Sequence, residues 1–372
     1  MVKWETNITA TAGTKQRKEK SMKVFYGTGS SGHVRDAVNG LSSPKLIIMT
    51  TSADCFESCV AELENLFPGI PSIGCIARGY NKTVLEKGVT ITAFTEGATC
   101  AAGALENVSK TPSKYISRLQ DDLKRINPGR NDTAVIDFCS GNDAGVMNTL
   151  SLLLNKYNLQ LMGATGNDGK ISANGRIYED GMAYALIKNN NGKVKAYKEN
   201  IYKPAGDITL LASRTDKSRY YIGELNGRPA KQVYMEIAHC TEKDIETQTF
   251  VNPLGKKIGD DICIVSLKGV EGNGLTCYRQ VNDSDILTLL QMCDPMEVAA
   301  ETLKAIKNDF RSVSAVYSVN CAFRYIVLSD RGELNNYLGA IATLGTSCGL
   351  IGNGEHYNGQ FVNQTMTCVV FE

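Results

Sequence analysis

The sequence predicts an α/β fold of two domains, with mixed sheets flanked by helices, because one phrase occurs three times. The phrase is an apolar strand, a short polar loop, a helix, and a second strand that runs into a glycine-rich turn. It spans residues 45–79, closing on Ile73, Gly74, Cys75, Ile76, Ala77, Arg78 and Gly79. It returns over 134–168, closing on Met162, Gly163, Ala164, Thr165, Gly166, Asn167 and Asp168, and over 314–355, closing on Ile351, Gly352, Asn353, Gly354 and Glu355. Each turn follows the end of a predicted buried strand, where open α/β sheets place ligands. The spacing is too irregular for a solenoid, so divergent duplication inside a globular protein is expected.

At 372 residues with 42% hydrophobic content the chain can bury a sizeable core, and its length suggests two or three domains. Lys+Arg 40 against Asp+Glu 39 gives a formal charge of +1, so nothing draws the whole molecule to nucleic acid or to an anionic membrane. No run approaches the roughly 18 apolar residues that span a bilayer, and residues 1–21 lack the apolar centre of a secretory signal. A cytoplasmic protein is expected, with residues 1–21 as a flexible tail whose basic cluster at 15–20 is solvated; Met22 is an alternative start. Of the twelve cysteines only Cys55 and Cys59 lie close in sequence, and no Cys-x-x-Cys pair occurs. Reduced thiols, no zinc ribbon and no metal are therefore expected, with Cys263, Cys277 and Cys368 acting as small buried hydrophobes.

The elements follow in order. Residues 23–26 read as a strand, 27–32 as a turn and 33–40 as a short helix. The helix of the first repeat, 57–67, places Val60, Leu63 and Phe67 on one face. Strands at 88–94 and 99–105 precede a helix opened at 112–113, with an apolar stripe of Ile116, Leu119, Leu123 and Ile126 and an end at Asn127, Pro128 and Gly129. The second repeat's helix is 143–157 and its closing strand 160–163; a hairpin of 180–187 and 192–197 turns around 188–191. After a strand at 220–225, the polar turn Asn226, Gly227, Arg228, Pro229 marks the expected boundary between domains 22–228 and 229–372. Beyond it come a helix over 229–238 and strands at 261–267 and 275–281. Asp294, Pro295 and Glu297 mark a helix start, with Ala299, Leu303, Ile306 and Phe310 facing inward. The chain ends in a strand over 363–371, with no effector domain expected after it.

Gly27, Gly29 and Gly32, with Asp54 further on, match a dinucleotide fingerprint. About ten residues separate that turn from the next strand, too few for a crossover helix and its loops, so a tight turn is the better reading. Cys321 and Arg324 follow the third repeat's first strand. An arginine there can clamp a carboxylate, and a cysteine beside it can be an activated nucleophile. None of the three histidines, His33, His239 and His356, falls in a nucleophile motif, so no catalytic residues are expected. His356, beside the third glycine turn, reads as a polar loop residue or as a haem ligand. Thr165, Asp168, Arg324 and Glu355 all follow strand ends in equivalent repeats. They are expected to meet in one cleft suited to a zwitterion.

From Met22 to Glu372 the chain resembles the FIST family of intracellular sensory proteins. The resemblance rests on Gly74 and Cys75, on the turn from Gly163 to Asp168, on Asn226 to Ala230, on Cys321 and Arg324, on Gly354 and Glu355, and on the ending Asn363, Gln364, Thr365, Met366, Thr367. It implies FIST N-type and FIST C-type domains and a ligand site of Cys75, Gly163, Thr165, Gly166, Asp168, Cys321, Arg324, Gly354, Glu355 and Asn363. It also implies sensing of amino acids or similar metabolites, and signalling to a separate histidine kinase, cyclic-dinucleotide enzyme or chemotaxis protein; no cofactor is expected. Some relatives bind haem and sense nitric oxide; a haem-based sensor regulating a histidine kinase is thus the alternative, and a cysteine-dependent enzyme the third. The family's usual histidine before Asn-Gln-Thr is Val362 here, and Ile76, Ala77 and Arg78 stand where small residues are usual.

Overall fold

A computed structural model describes residues 21–111, 113–141, 143–258 and 261–372. All of the expected N-terminal tail except Ser21 lies outside these residues, as does Pro112.

All three predicted units form strand, helix, strand. The first is Leu46–Thr51, Phe56–Leu66 and Ser72–Ile76; the second is Thr133–Cys139, Asp143–Tyr157 and Gln160–Thr165. The third uses two helices, Ala322–Asp330 and Leu334–Ile341, between Ala315–Cys321 and Thr346–Gly352. In each unit the two strands pair in parallel, the pairing that needs a crossover rather than a hairpin. Every residue of the first strand of each unit is buried, which explains why these strands read as apolar runs without alternation.

Both faces of the three sheets are covered. Ile48, Ile73, Ile136, Met162, Val319 and Leu350 turn inward and share one central core. On the outer faces, Ile47 and Met49 pack on Val60 and Leu63, while Val135 and Leu161 pack on Leu119, Leu123 and Leu150. Val316 packs with Ala299, Ile306, Leu328 and Leu338. Asp294 caps the Pro295–Asp309 helix as its sequence predicts, accepting from Met296 N at 2.8 Å and Glu297 N at 3.1 Å.

The three sheets are also joined by exchanged strands. After its glycine turn the first unit sends Arg78–Tyr80 to pair with Thr346–Gly352 in the third sheet. The third sends Glu355–Tyr357 to pair with Gln160–Thr165 in the second, and the second sends Ile171–Ala173 to pair with Ser72–Ile76 in the first. The exchange closes on itself, so each glycine turn is a crossing point between two sheets. Tyr80 locks one crossing: its hydroxyl lies 2.9 Å from Ser318 Oγ and accepts from Asn320 Nδ2 at 2.8 Å.

A nine-stranded sheet built from residues 202–292 is inserted between the Val194–Asn200 strand and the Pro295–Asp309 helix. Hydrogen-bonded ladders cross the expected boundary at 228/229. Leu210–Asp216 and Tyr221–Leu225 pair with strands from beyond it, and Val194–Asn200 pairs with the final strand Thr365–Phe371.

The glycine fingerprint near the start has a packing role. Gly27 and Gly29 lie within the Lys23–Gly29 strand, and a Cβ at Gly27 would sit 1.9 Å from Ala37 O. The helix that follows is only Val34–Ala37, shorter than the expected 33–40.

Candidate functional site

The crossing between the second and third sheets gathers most of the residues singled out from sequence. Thr165 N donates to Gly354 O at 3.0 Å, and a Cβ at Gly354 would lie 2.8 Å from Thr165 Oγ1. Gly166 N donates to Cys139 O at 2.9 Å, while a Cβ on Gly166 would meet Cys75 Cβ at 3.2 Å. Gly354 leaves room for the Phe361 ring and the Thr165 hydroxyl, and Gly166 lets Cys75 pack closely against the turn.

Glu355 and His356, adjacent on the exchanged strand, point to opposite faces of it. Glu355 is fully buried, and its Oε2 accepts from Thr365 N at 3.1 Å and Thr365 Oγ1 at 2.9 Å. Burial pushes its carboxyl up to about 8 against the pull of those two bonds and of the neighbouring Cys321 thiol. Cys321 is buried where the Ala322–Asp330 helix begins, and burial followed by the Glu355 charge pushes its thiol well up.

His356 sits on the far face at 0% exposure, in a strand and not in the loop its sequence suggested. Its Nδ1 lies 2.6 Å from Asp137 Oδ2, and its Nε2 faces Asp143 Oδ1 at 3.6 Å. Gly163 makes this possible. It pairs with Asp137 on one side and His356 on the other, and without a side chain it lets the two reach across it. Burial alone would lower the imidazole, but the Asp137 and Asp143 carboxylates raise it to about 10. Asp143 is held low despite its burial by His356 and by Thr165, whose Oγ1 donates to Asp143 Oδ2 at 2.7 Å. With carboxylates at both nitrogens and the ring enclosed, His356 has no room for a haem macrocycle.

Two neighbouring clefts open beside this cluster. One, of 260 Å³, is lined by Ser266, Tyr278, Cys321, Ala322, Phe323, Asn353 and Asn363, with Phe323 edge-on to both Phe250 and Tyr278. The other, of 730 Å³, shares Tyr278 and carries Asp143, Lys256, Arg279, Asn148 and Gln280. The oxygens Glu355 Oε1 and Asn363 Oδ1 are buried and accept no hydrogen bond among the described residues.

Two expected members stand apart. Arg324 is at 0% exposure, with its guanidinium bonded to Glu199 and 4.8 Å from the centre of the Tyr337 ring; Tyr337 donates to Glu199 Oε1 at 2.9 Å. Glu199 already supplies the carboxylate that Arg324 was expected to take from a ligand. Asp168 is exposed on the Asn167–Gly169 turn at φ 53°, so it and Arg324 do not line one cleft. Asp137, Cys139 and Asp143 were missed, although Asp137 is the only charged residue in an otherwise apolar buried strand, a signal the sequence carries.

The fold and these clefts define a mixed α/β protein with polar, partly buried crevices at strand crossings. The chain is a FIST-domain protein: residues 45–228 match the FIST N domain. That match takes in the first and second units with the Gly163–Gly166 crossing, and FIST domains are sensory domains implicated in small-ligand sensing and signalling. Comparison with curated proteins finds no match. Among solved structures the chain is similar to a crystal structure of a chorismatase, at 8% identity and a TM-score of 0.38, over 95% of this chain and 98% of that one. So distant a likeness carries nothing about activity.

Glu355 yields a prediction. Its pKa is near 4.5 in the unfolded chain and about 8 in the fold, so folding takes up a proton between those values and stability falls as pH rises through them. Glu355→Gln is expected to match the wild type below pH 4.5 and to exceed it above pH 8 by on the order of a few kcal/mol. Urea unfolding at the two ends of that range measures the difference. Parallel pH slopes for the two proteins would show that Glu355 is charged in the fold.

Proposed function

We propose that this protein is a cytoplasmic sensor of a small polar metabolite, with an amino acid as the leading class, that signals to a separate partner and is not an enzyme. The observation that carries the reading is the 260 Å³ cleft in which Cys321 and Asn363 meet at the third glycine turn, beside buried and unpartnered oxygens of Asn363 and Glu355. A protonated Glu355 and the Asn363 amide suit a ligand with both donors and acceptors. The adjoining cleft adds groups of both signs in Asp143, Lys256 and Arg279. Against a cysteine enzyme, burial holds the Cys321 and Cys139 thiols well above their ordinary range, the reverse of an activated nucleophile. No helix among the described residues is long and apolar enough to cross a membrane. A histidine kinase, a cyclic-dinucleotide enzyme or a chemotaxis protein is the partner class to test.

A thermal-shift screen of amino acids and short organic acids tests the reading. A ligand at 100 times its Kd stabilises the native state by roughly 2.7 kcal/mol. Asn363→Ala is expected to weaken the hit about tenfold by calorimetry, the loss of one hydrogen bond. A hit that binds Asn363→Ala as tightly as wild type removes the cleft from the reading. A Soret band in the purified protein, or a turnover abolished by iodoacetamide, replaces it with the haem or the enzyme alternative.

A further inference from the structure

We propose that Asp137, Cys139 and His356 form a site for one divalent ion of the zinc class, supported from behind by Asp143 and Thr165. The three residues come from two strands, Thr133–Cys139 and Glu355–Tyr357, that pair with Gln160–Thr165 from opposite sides, so that Asp137 and His356 meet across Gly163. Each offers one donor atom, and these atoms lie within 4.8 Å of one another, all on buried residues. Cys139 Sγ lies 3.6 Å from Asp137 Oδ2, close to the roughly 3.5 Å edge that a tetrahedral ion with bonds of about 2.0 Å to oxygen and 2.3 Å to sulfur requires. Asp137 Oδ2 and His356 Nδ1, at 2.6 Å, share a proton where the ion would sit, and must part by less than about 1 Å to admit it.

A thiolate, an imidazole and a carboxylate together suit zinc better than calcium or magnesium, which take oxygen alone. Behind the ring, Asp143 faces His356 Nε2 at 3.6 Å and is itself fixed by Thr165 at 2.7 Å. A carboxylate on the far nitrogen of a ligating histidine is the usual device that fixes ring orientation and raises ligand basicity. Among the described residues, His356 Nε2, Asp143 Oδ1 and Asp137 Oδ1 are all buried without a hydrogen bond. The Asp143 side chain is 12% exposed and lines the larger cleft, which gives the ion a route inward. Binding displaces two protons, one from the Cys139 thiol and one from His356 Nδ1, so the net charge of the cluster is unchanged. Nothing here depends on the organic ligand proposed above.

The test uses the full chain, stripped with a chelator under reducing conditions and titrated with cobalt and zinc chlorides. One cobalt per chain is expected, with a thiolate-to-cobalt charge-transfer band. Cys139→Ser should abolish that band and lower zinc affinity by at least about 100-fold; Asp143→Asn should keep the band and lower affinity about 10- to 100-fold. Cys240→Ser, at a half-buried thiol far along the sequence, should change neither. A wild type that binds no ion overturns the proposal, as does binding that survives unchanged in Cys139→Ser and Asp143→Asn. If Cys139→Ser does not fold, Asp137→Asn replaces it: a loss of affinity supports the site, and unchanged affinity overturns it.

Discussion

Replacing Gly163 by alanine is expected to destabilise the protein by roughly 3–5 kcal/mol, the range for breaking a buried ion pair. The added Cβ would stand 2.1 Å from Asp137 Oδ1, 2.4 Å from its Cγ and 2.5 Å from its backbone oxygen. The side-chain clash drives Asp137 off His356, and the backbone clash pushes apart two strands whose pairing carries the second sheet. Because Gly163 is the position over which Asp137 and His356 meet, relief by moving Asp137 alone leaves an imidazolium buried without its partner. Gly339 supplies the control. It lies in the Leu334–Ile341 helix with nothing within 4 Å of a Cβ, so Gly339→Ala is expected to stabilise by about 0.5–1 kcal/mol. Urea unfolding of both variants reads the contrast, and equal stabilities would mean that Asp137 and His356 are not joined across Gly163 in solution.

The repeated units were legible in the sequence because each is specified within some 40 residues by its own run of apolar positions and glycine punctuation. The exchange of strands between them was not. Each exchanged strand is three residues long, and nothing local in Arg78–Tyr80, Ile171–Ala173 or Glu355–Tyr357 says which sheet it will join. That choice is made by distant register, as when Tyr80 finds Ser318 and Asn320. The same division runs through the site. The crossings at Thr165, Gly166 and Gly354 were visible because strand ends with glycines are recognisable by themselves. The partnership of Asp137 with His356 spans 219 positions and depends wholly on the exchange. For Arg324 the local reading misled, since a strand-end arginine looks like a ligand clamp until its carboxylate partner is found 125 residues earlier.

That partner makes Arg324 the site of the second large effect. Arg324→Ala is expected to cost about 3–5 kcal/mol of stability, because it strands the Glu199 carboxylate at 1% side-chain exposure with Tyr337 as its remaining side-chain donor among the described residues. Stacking against the Tyr337 ring is lost as well. Removing both charges should be far milder: in Glu199→Leu with Arg324→Met no ion is left uncompensated, and well-packed apolar replacements of buried pairs are often neutral or stabilising. The double variant is therefore expected to recover most of what either single change loses, and a double-mutant cycle by urea unfolding measures the coupling directly. Ligand affinity distinguishes the two roles that an arginine at this place can have. Arg324 directly follows Ala322 and Phe323, which line the smaller cleft, in the first turn of the same helix, but its own guanidinium turns into the core. The folded double variant should bind a ligand of that cleft within about threefold of wild type, while the carboxylate-clamp role requires a loss of roughly 1.5–3 kcal/mol, the worth of a hydrogen bond to a charged group. A variant that keeps its stability and loses its ligand would return Arg324 to the binding site and leave Glu199 as its resting partner.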